Sequence, residues 1–337
     1  MNSQQSWNTS QPWGTLTFAE EGLFRVRLKN PEGSLMINTW FLRTDEYLTV
    51  IDPGWPWTYE GLKAALSHMG WGLDDVGTWL YTHSHVDHMG LAARLSRDTN
   101  GRHVAYHGVS EHLGNWHAYL DSYDWAAWAQ YAFPQPRPGG GLPQETRDEL
   151  FSVLKRHTRA GIEERFGSLA VPELEAVDFG DWVDVGVKFQ VLDARGHDPY
   201  HVAFWEPERA WLFSGDLVLA TPTPLSRAMN DDLSLYLKSL DSLQELPTAW
   251  LFPGHGVQKS NCVADHFERS RQHQMNYRAL ALKSLENGPK DLYTMATESM
   301  SATLFERFWV HAALLDTHLQ ALSREGEVKV DDAIYFL

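Results

Sequence analysis

The densest group of chemically reactive side chains is the stretch Thr82-His83-Ser84-His85-Val86-Asp87-His88. It lies between an apolar run that predicts a strand over residues 76–82 and a pattern that predicts a helix over 89–97. Three imidazoles and a carboxylate this close cannot share one side of a regular strand or helix, but a loop can bring them together. Imidazole and carboxylate are ligands that Zn(II) favours at open sites. The stretch therefore predicts a metal site.

Three further residues of ligand type each follow a short apolar run that predicts a strand. Each also stands beside a glycine, which permits close approach of the backbone. Because neighbouring strands end at a common rim of a sandwich, we expect these side chains to converge on the histidine cluster. The three residues are His197, Asp216 and His255.

The elements that must position these residues form two β-rich parts with a helical pattern between them. Residues 14–52 alternate in short bursts that predict an antiparallel meander, and residues 178–252 predict a second β-rich half. Residues 108–170 show helical spacing, and residues 262–337 predict three helices and a terminal hairpin. The predicted fold is α+β, an αβ/βα sandwich over residues 14–261 with a helical insertion at 108–170 and a C-terminal appendage at 262–337.

The order HxHxDH, GH, GD and GHG resembles the metallo-β-lactamase-fold hydrolases over about residues 15–260, and Asp52 matches the early Asp turn of that family. The appendage is similar to the winged-helix-like one of relatives of β-lactamase-like protein 2. The resemblance implies two metal sites joined by a bridging carboxylate and a water or hydroxide. The implied ligands are His83, His85 and His197 for the first metal, Asp87, His88 and His255 for the second, and Asp216 for both.

The resemblance also implies the cofactor and several residue roles. Two Zn(II) per chain are expected, with Fe or Mn as alternatives, and a single iron, as in persulfide dioxygenases of this fold, stays open. Asp52 is expected to orient a ligand histidine from behind, and Asp87 to hold the nucleophile or pass a proton. Tyr200 replaces the glycine that family members more often carry there, and it either donates to a developing oxyanion or only packs the loop. His201 is interpreted as structural.

Aromatic residues are concentrated in the helical insertion, with seven between Trp116 and Phe133. One interpretation is a helix packed on the body of the protein. The other is a lid that forms an apolar pocket over the metal rim. The candidate pocket residues are Trp116, Tyr119, Tyr123, Trp125 and Trp128.

Charge and composition favour a small-molecule substrate. The chain has 28 Lys and Arg against 44 Asp and Glu, a net charge of −16, which repels nucleic acid and anionic membrane surfaces. Residues 262–337 are themselves acidic, which disfavours a nucleic-acid-binding wing. A single cysteine, Cys262, an N-terminus without signal-peptide character and the lack of a long apolar run predict a soluble cytoplasmic protein.

The function predicted from these observations is metal-dependent hydrolysis, in which a bridging hydroxide attacks the carbonyl of a thioester, ester or lactone with an apolar portion. A phosphodiesterase or ribonuclease on the same fold and a mononuclear-iron, persulfide-dioxygenase-like enzyme are the alternatives. A non-catalytic binding protein is disfavoured because seven ligand residues have no other purpose. The expected partner is a small molecule, and the appendage could serve to form a homodimer.

Overall fold

Two β-sheets that pack face to face form the centre of the computed structural model. The structure describes residues 8–20, 22–29, 36–45, 48–109, 125–133, 143–154, 164, 170, 173–257, 263–300 and 305–337. The predicted α+β sandwich with C-terminal helices is confirmed.

The first sheet has eight strands in chain order. Its antiparallel part is β1 (Asn8–Gln11), β2 (Gly14–Glu20), β3 (Leu23–Leu28), β4 (Asn38–Arg43) and β5 (Leu48–Ile51). Three parallel additions follow, β6 (Val76–Leu80), β7 (Arg102–Tyr106) and β8 (Glu175–Val177). Because β5 and β6 are parallel, the segments after them emerge at the same edge.

The second sheet comprises β9 (Trp182–Asp184), β10 (Lys188–Asp193), β11 (Val202–Glu206), β12 (Trp211–Gly215) and β13 (Trp250–Pro253). Their order is β13-β12-β11-β10-β9, and β12 and β13 run parallel. Successive side chains along these strands point to opposite faces of the sheet, and both faces are buried. Phe204 and Phe213 join the core cluster shared with the first sheet, whereas Trp205 and Leu212 join a second cluster on the outer face.

Three helices follow the strands of the first sheet: α1 (Tyr59–His68), α2 (Val86–Met89) and α3 (Ala92–Asp98). The structure begins α2 at Val86, before the predicted Met89, because the amides of His88 and Met89 both donate to the carbonyl of His85. Asp87 and His88 therefore lie in the first turn of a helix rather than in a loop.

The remaining helices are α4 (Trp125–Ala132), α5 (Gln144–Leu154), α6 (Leu233–Gln244), α7 (Val263–Leu285), α8 (Leu292–Ser299) and α9 (Phe305–Glu325). A small sheet of β14 (Lys290–Asp291), β15 (Lys329–Asp331) and β16 (Ile334–Phe336) completes the C-terminal segment. Trp128 and Leu150 of the insertion share one apolar cluster with Leu292 and Leu315 of the C-terminal helices. We call this cluster, which continues through Phe133, Trp309 and Tyr335, the helical core.

The helices of the described segments include none that combines the length and the apolar character needed to cross a bilayer. The domain boundary expected near residue 262 stays a prediction.

Candidate metal centre

The predicted ligands meet at the edge where strands of both sheets end. The segment after β6 supplies four of them, and the segments after β10, β12 and β13 supply one each. The two sheets are joined here, since the amide of Asn38 on β4 donates to the carbonyl of Gly254 and the amide of Gly254 donates to the carbonyl of Gly215. Six of the ligands are at most 8% exposed, and the His255 side chain is 13% exposed. The seven are His83, His85, Asp87, His88, His197, Asp216 and His255.

Ligand atoms of the predicted residues form compact groups, in each of which they lie within 4.8 Å of one another. One group contains the two histidines His83 and His85 together with His197, which comes from the other sheet. Another contains Asp87, His88 and His255. These are the two sets that the resemblance implied, so the structure brings all six side chains together as expected.

Asp216 faces histidines of both groups. Its Oδ2 lies 3.7 Å from His197 Nε2 and 3.2 Å from His255 Nε2, and its Oδ1 lies 3.4 Å from His88 Nε2. Gly254 makes this approach possible, because a Cβ there would lie 2.2 Å from Asp216 Oδ1 and 2.7 Å from the His88 ring. The carboxylate therefore lies between the two groups, where it would serve as the shared ligand that the resemblance implied.

Asp52 lies behind two of the ligand histidines, as the sequence predicted for one. Its Oδ2 accepts a hydrogen bond from His88 Nδ1 at 2.9 Å and from the Thr82 hydroxyl at 2.7 Å, and its Oδ1 accepts from the Thr82 amide. Thr82 Oγ1 in turn lies 3.0 Å from His83 Nδ1. Because the hydroxyl proton is directed at Asp52, the oxygen accepts from His83. One carboxylate thus directs Nε2 of both histidines into the site, and Thr82 is a contributor that sequence reasoning left without a role.

The free ring nitrogens of the site fit divalent cations. His255 donates through Nδ1 to the carbonyl of Met36 at 2.9 Å, which leaves Nε2 for a ligand. The Nε2 atoms of His83, His88 and His197 are buried and have no hydrogen-bond partner among the described residues. Buried imidazole nitrogens without a partner are costly, and a metal ion satisfies them. The residues therefore fit the two metals that the motif implied.

The electrostatics of the site also favour cations. Burial lowers the pKa of His83 well below its usual value and that of His197 to about 4, so these imidazoles are neutral. Burial raises the pKa of the Asp87 carboxyl, but His88 and His255 outweigh that effect and bring it to about 2. For Asp216 the same histidines overcome burial and lower its pKa. The carboxylates in turn raise the pKa of His88 well above its usual value and that of His255 to about 10, so that without metal these two imidazoles hold protons where the motif implies a cation.

Two further buried acids lie beside the ligands and were not predicted. Asp198 accepts a hydrogen bond from the Ser84 hydroxyl, and its Oδ2 lies 3.8 Å from His85 Nε2. Asp231 Oδ2 lies 3.9 Å from His197 Nδ1. The position of Asp198 directly after a ligand was a signal that could have been used, whereas the pairing of residues 197 and 231 depends on tertiary structure.

The interpretation of His201 as structural agrees with its contacts. Its Nε2 accepts a hydrogen bond from the backbone amide of Asp216 at 3.0 Å, and its ring stacks on His83 at 4.6 Å. The ring therefore supports a ligand and a ligand-bearing segment. Tyr200, next to it, is half-buried, and its ring lies against Gly108, where a Cβ would be 2.5 Å from Tyr200 Cδ1. Its role as an oxyanion donor stays a prediction.

The aromatic candidates for the substrate pocket are only partly within the described residues. Trp116, Tyr119 and Tyr123 lie outside them, and Trp125 begins α4 with its side chain outside the description. Trp128 is 6% exposed, and its Nε1 donates to Asp316 Oδ2 at 2.9 Å in the helical core. The described contacts of Trp128 are those of a packing residue.

Comparison with known proteins places this geometry in a family. Residues 33–255 match the family model described as the metallo-beta-lactamase superfamily. The chain belongs to the metallo-beta-lactamase superfamily. Since the matched segment contains all seven ligand positions, the prediction of a metal-dependent hydrolase of this fold is confirmed at the level of the superfamily.

One curated relative and one solved structure span most of the chain, and a second curated relative spans less than half of it. The probable metallo-hydrolase YqjP of Bacillus subtilis is 24% identical over 91% of this chain and 94% of its own length. A β-lactamase-like protein 2 homolog of Drosophila melanogaster is 28% identical over 43% of this chain and 49% of its own. The crystal structure of a metallo-beta-lactamase family protein from Thermus thermophilus covers 94% of this chain and 99% of its own, with a TM-score of 0.72 and 22% identity. That likeness extends the shared fold into the C-terminal segment.

Proposed function

We propose that the protein is a dinuclear zinc hydrolase that cleaves a thioester, ester or lactone with an apolar portion. The observation that carries the proposal is the pair of ligand groups on either side of Asp216, in which three imidazole nitrogens are buried without a hydrogen-bond partner in the described part of the chain. The naming of the Bacillus subtilis relative as a probable metallo-hydrolase supports the hydrolytic class. The apolar portion of the substrate is proposed from the sequence alone, on the aromatic residues Trp116, Tyr119, Tyr123 and Trp125.

Bound metals would supply a hydroxide at neutral pH and polarise the carbonyl. Asp87 contributes an ionised carboxylate whose Oδ2 lies 3.2 Å from His255 Nε2, and its proposed role is to hold the attacking water by accepting a hydrogen bond from it. Asp52 and Thr82 keep His83 and His88 in the tautomer that offers Nε2. Tyr200 is proposed to donate to the developing oxyanion from the segment that carries His197.

The partner that we propose is a small molecule, in keeping with the net charge of −16. A cytoplasmic location fits the single cysteine. We also propose that the C-terminal segment forms a homodimer contact rather than a surface for nucleic acid or membrane.

The test is a substrate panel for the zinc-loaded protein: acyl thioesters, lactones and aryl esters of increasing acyl length, and a phosphodiester. We expect turnover of the carbonyl compounds that rises with acyl length, and loss of turnover on chelation or in His85→Ala. The matched control is His68→Ala, because His68 is an exposed histidine of α1 outside the site.

Phosphodiester cleavage in preference to every carbonyl compound would replace this proposal with the nuclease alternative. Activity that survives chelation would reject metal-dependent hydrolysis altogether. Activity that requires iron and consumes oxygen would favour the dioxygenase alternative.

A further inference from the structure

One buried acid connects the two loops that carry the ligands of the first metal. Asp198 is 1% exposed and directly follows the ligand His197, in the segment between β10 and β11 of the second sheet. Its Oδ2 accepts a hydrogen bond from the hydroxyl of Ser84, which stands between the ligands His83 and His85 after β6 of the first sheet. The amide of Ser84 donates to the same carboxylate. All three histidines of this group are therefore next in sequence to one end of the link.

The carboxylate is also held by its own loop. Asp198 Oδ1 accepts a hydrogen bond from the amide of Tyr200 at 2.5 Å, and the backbone carbonyl of Asp198 accepts from the amides of Gly196 and His201, each at 3.3 Å. Burial raises the pKa of Asp198, whereas the hydrogen bonds from Ser84 and Tyr200 act in the opposite direction and favour the ionised form. Because donors reach both of its oxygens, the side chain is fixed in one orientation.

From this position Asp198 faces imidazoles of the first metal's ligands. Its Oδ2 lies 3.8 Å from His85 Nε2, and of the ligand imidazoles, all of which are described, only this one makes an ion-pair contact with it. The distance is longer than a hydrogen bond, so the interaction is electrostatic. Asp198 also acts on His197, because burial lowers the pKa of that imidazole and the carboxylate opposes this effect. A carboxylate beside one ring nitrogen favours a proton there and leaves the other nitrogen for a metal.

Asp52, the acid behind the other ligands, differs in what it joins. Its hydrogen bonds reach His88 directly and His83 through Thr82, so it supports one ligand of each group. The short contacts of Asp198 in the described part of the chain involve no ligand of the second metal. The two aspartates should therefore differ in how many metals they affect.

We propose that Asp198 is a positioning residue for the first metal alone. Through Ser84 it holds the ligand loop of the first sheet against that of the second, and through its charge it orients His85. The proposal rests on the dinuclear site of the proposed function and is independent of the substrate. A residue with a merely structural role would affect both metals, because residues 82–88 carry ligands of both groups.

The experiment measures the two zinc affinities of the full chain by competition with a chelator of known affinity. Asp198→Asn removes the charge at nearly constant size, so we expect one affinity to fall by about 10- to 100-fold and the other to stay within about twofold. Ser84→Ala, which removes the hydroxyl donor, should lower the same affinity by a smaller factor. Asp52→Asn should lower both affinities, and Asp74→Asn, at an exposed position, should lower neither.

Cadmium NMR of the cadmium-loaded chain identifies the affected metal. Each bound cadmium ion gives its own resonance, and an ion with three imidazole ligands resonates at lower field than one with two imidazoles and an additional carboxylate. Asp198→Asn should shift or broaden the low-field resonance and leave the other in place. Ser84→Ala, which keeps the carboxylate, gives the same readings if Asp198→Asn does not fold.

Three results would overturn the proposal. Equal loss of both affinities in Asp198→Asn would make the residue a structural one. Unchanged affinities would remove its role toward the metals, and a change confined to the high-field resonance would place that role at the second metal. In each of these cases the parent protein still binds two zinc ions, and the proposed function stands. A parent protein that binds fewer than two zinc ions would overturn the dinuclear site of the proposed function together with this proposal.

Discussion

Two buried aspartates accept hydrogen bonds in two different regions of the molecule. One lies at the metal centre, and the other lies in the helical core. Asp52 is 1% exposed, and its hydrogen bonds reach Thr82 and the ligand His88 at the metal edge. Asp316 is fully buried in the helical core and accepts hydrogen bonds from four side chains. The four donors are Trp128, Arg227, Gln320 and Tyr335.

The difference lies in where the partners come from. Those of Asp52 are metal ligands or touch one, so its hydrogen bonds set the direction of reactive nitrogens. Those of Asp316 belong to the insertion, the segment before α6, α9 itself and the terminal sheet, so its hydrogen bonds join elements distant in sequence. Burial raises the pKa of Asp316, and Arg227 acts in the opposite direction. A buried carboxylate is therefore not a marker of catalysis, and its partners decide its role.

The largest effect is expected from Asp216→Ala, which removes the carboxylate that faces both ligand groups. Metal stoichiometry should fall below two per chain and turnover should fall by a factor on the order of 10³, since metal catalysis supplies several kcal/mol. Metal analysis and kinetics on the same preparation check this. Full metal content in the variant would contradict the assignment of Asp216 as a shared ligand.

Asp316→Ala should destabilise the helical core without changing metal content or turnover. Four donors lose their acceptor, so we expect the free energy of unfolding to fall by about 3 kcal/mol. Chemical denaturation measures this, with Asp331→Ala on the exposed β15 as control. Metal content and turnover of the folded variant should stay within about twofold of the parent, since two-state stability and site chemistry are separable. A loss of metal in the folded variant would erase the distinction between the two aspartates.

Asp52→Asn tests whether the aspartate at the metal centre contributes to metal affinity. Asp52 has a φ of 54°, a left-handed conformation that Asn tolerates, so the substitution removes charge with little backbone cost. We expect metal affinity to fall by about 10- to 100-fold, as for other residues that orient metal ligands. Competition with a chelator of known affinity measures this, and Asp74→Asn, an exposed position, serves as control. Unchanged affinity would show that Thr82 and His88 are positioned without this carboxylate.

The smallest effect at neutral pH concerns stability in the first sheet, because it appears only as the pH falls below 6.5. His103 lies in the first sheet, stacked on Tyr81, and burial lowers its pKa to about 4. The folded state then binds fewer protons than the unfolded chain below pH 6.5, so this stability is present above pH 6.5 and is lost as the pH falls towards 4. His103→Phe should flatten that slope by up to about 1.4 kcal/mol per pH unit, the value for one proton. Denaturation of metal-loaded protein at several pH values checks this, and His68→Ala should keep the full slope.

Much of the site could be predicted from the sequence because its determinants are local. The motif at residues 82–88 and the positions of His197, Asp216 and His255 after short strands carry both the residue types and the topology. The sandwich could be predicted from the short apolar and alternating runs that indicate strands. Successive side chains of a strand point to opposite faces, and Phe204 and Trp205 accordingly lie in different clusters. The ligand groups then follow from the parallel strand pairs at one edge.

What could not be predicted depends on contacts between distant segments. The Trp128–Asp316 hydrogen bond joins positions 188 residues apart, so the spacing of aromatics in the insertion gave no sign that this indole packs in the helical core. The hydrogen bonds that connect His83 to Asp52 through Thr82 depend on the direction of one hydroxyl proton.

The origin of the ligands in both sheets has a consequence for unfolding. His83 follows a strand of the first sheet and His255 follows a strand of the second, so metals held by both groups act as a removable cross-link between the two halves of the sandwich. A cross-link of this kind closes long loops and stabilises the folded chain through its affinity for the metal. Metal binding should therefore lengthen the lifetime of the folded state against proteolysis. A chain that loses its metals should be degraded faster as well as lose activity.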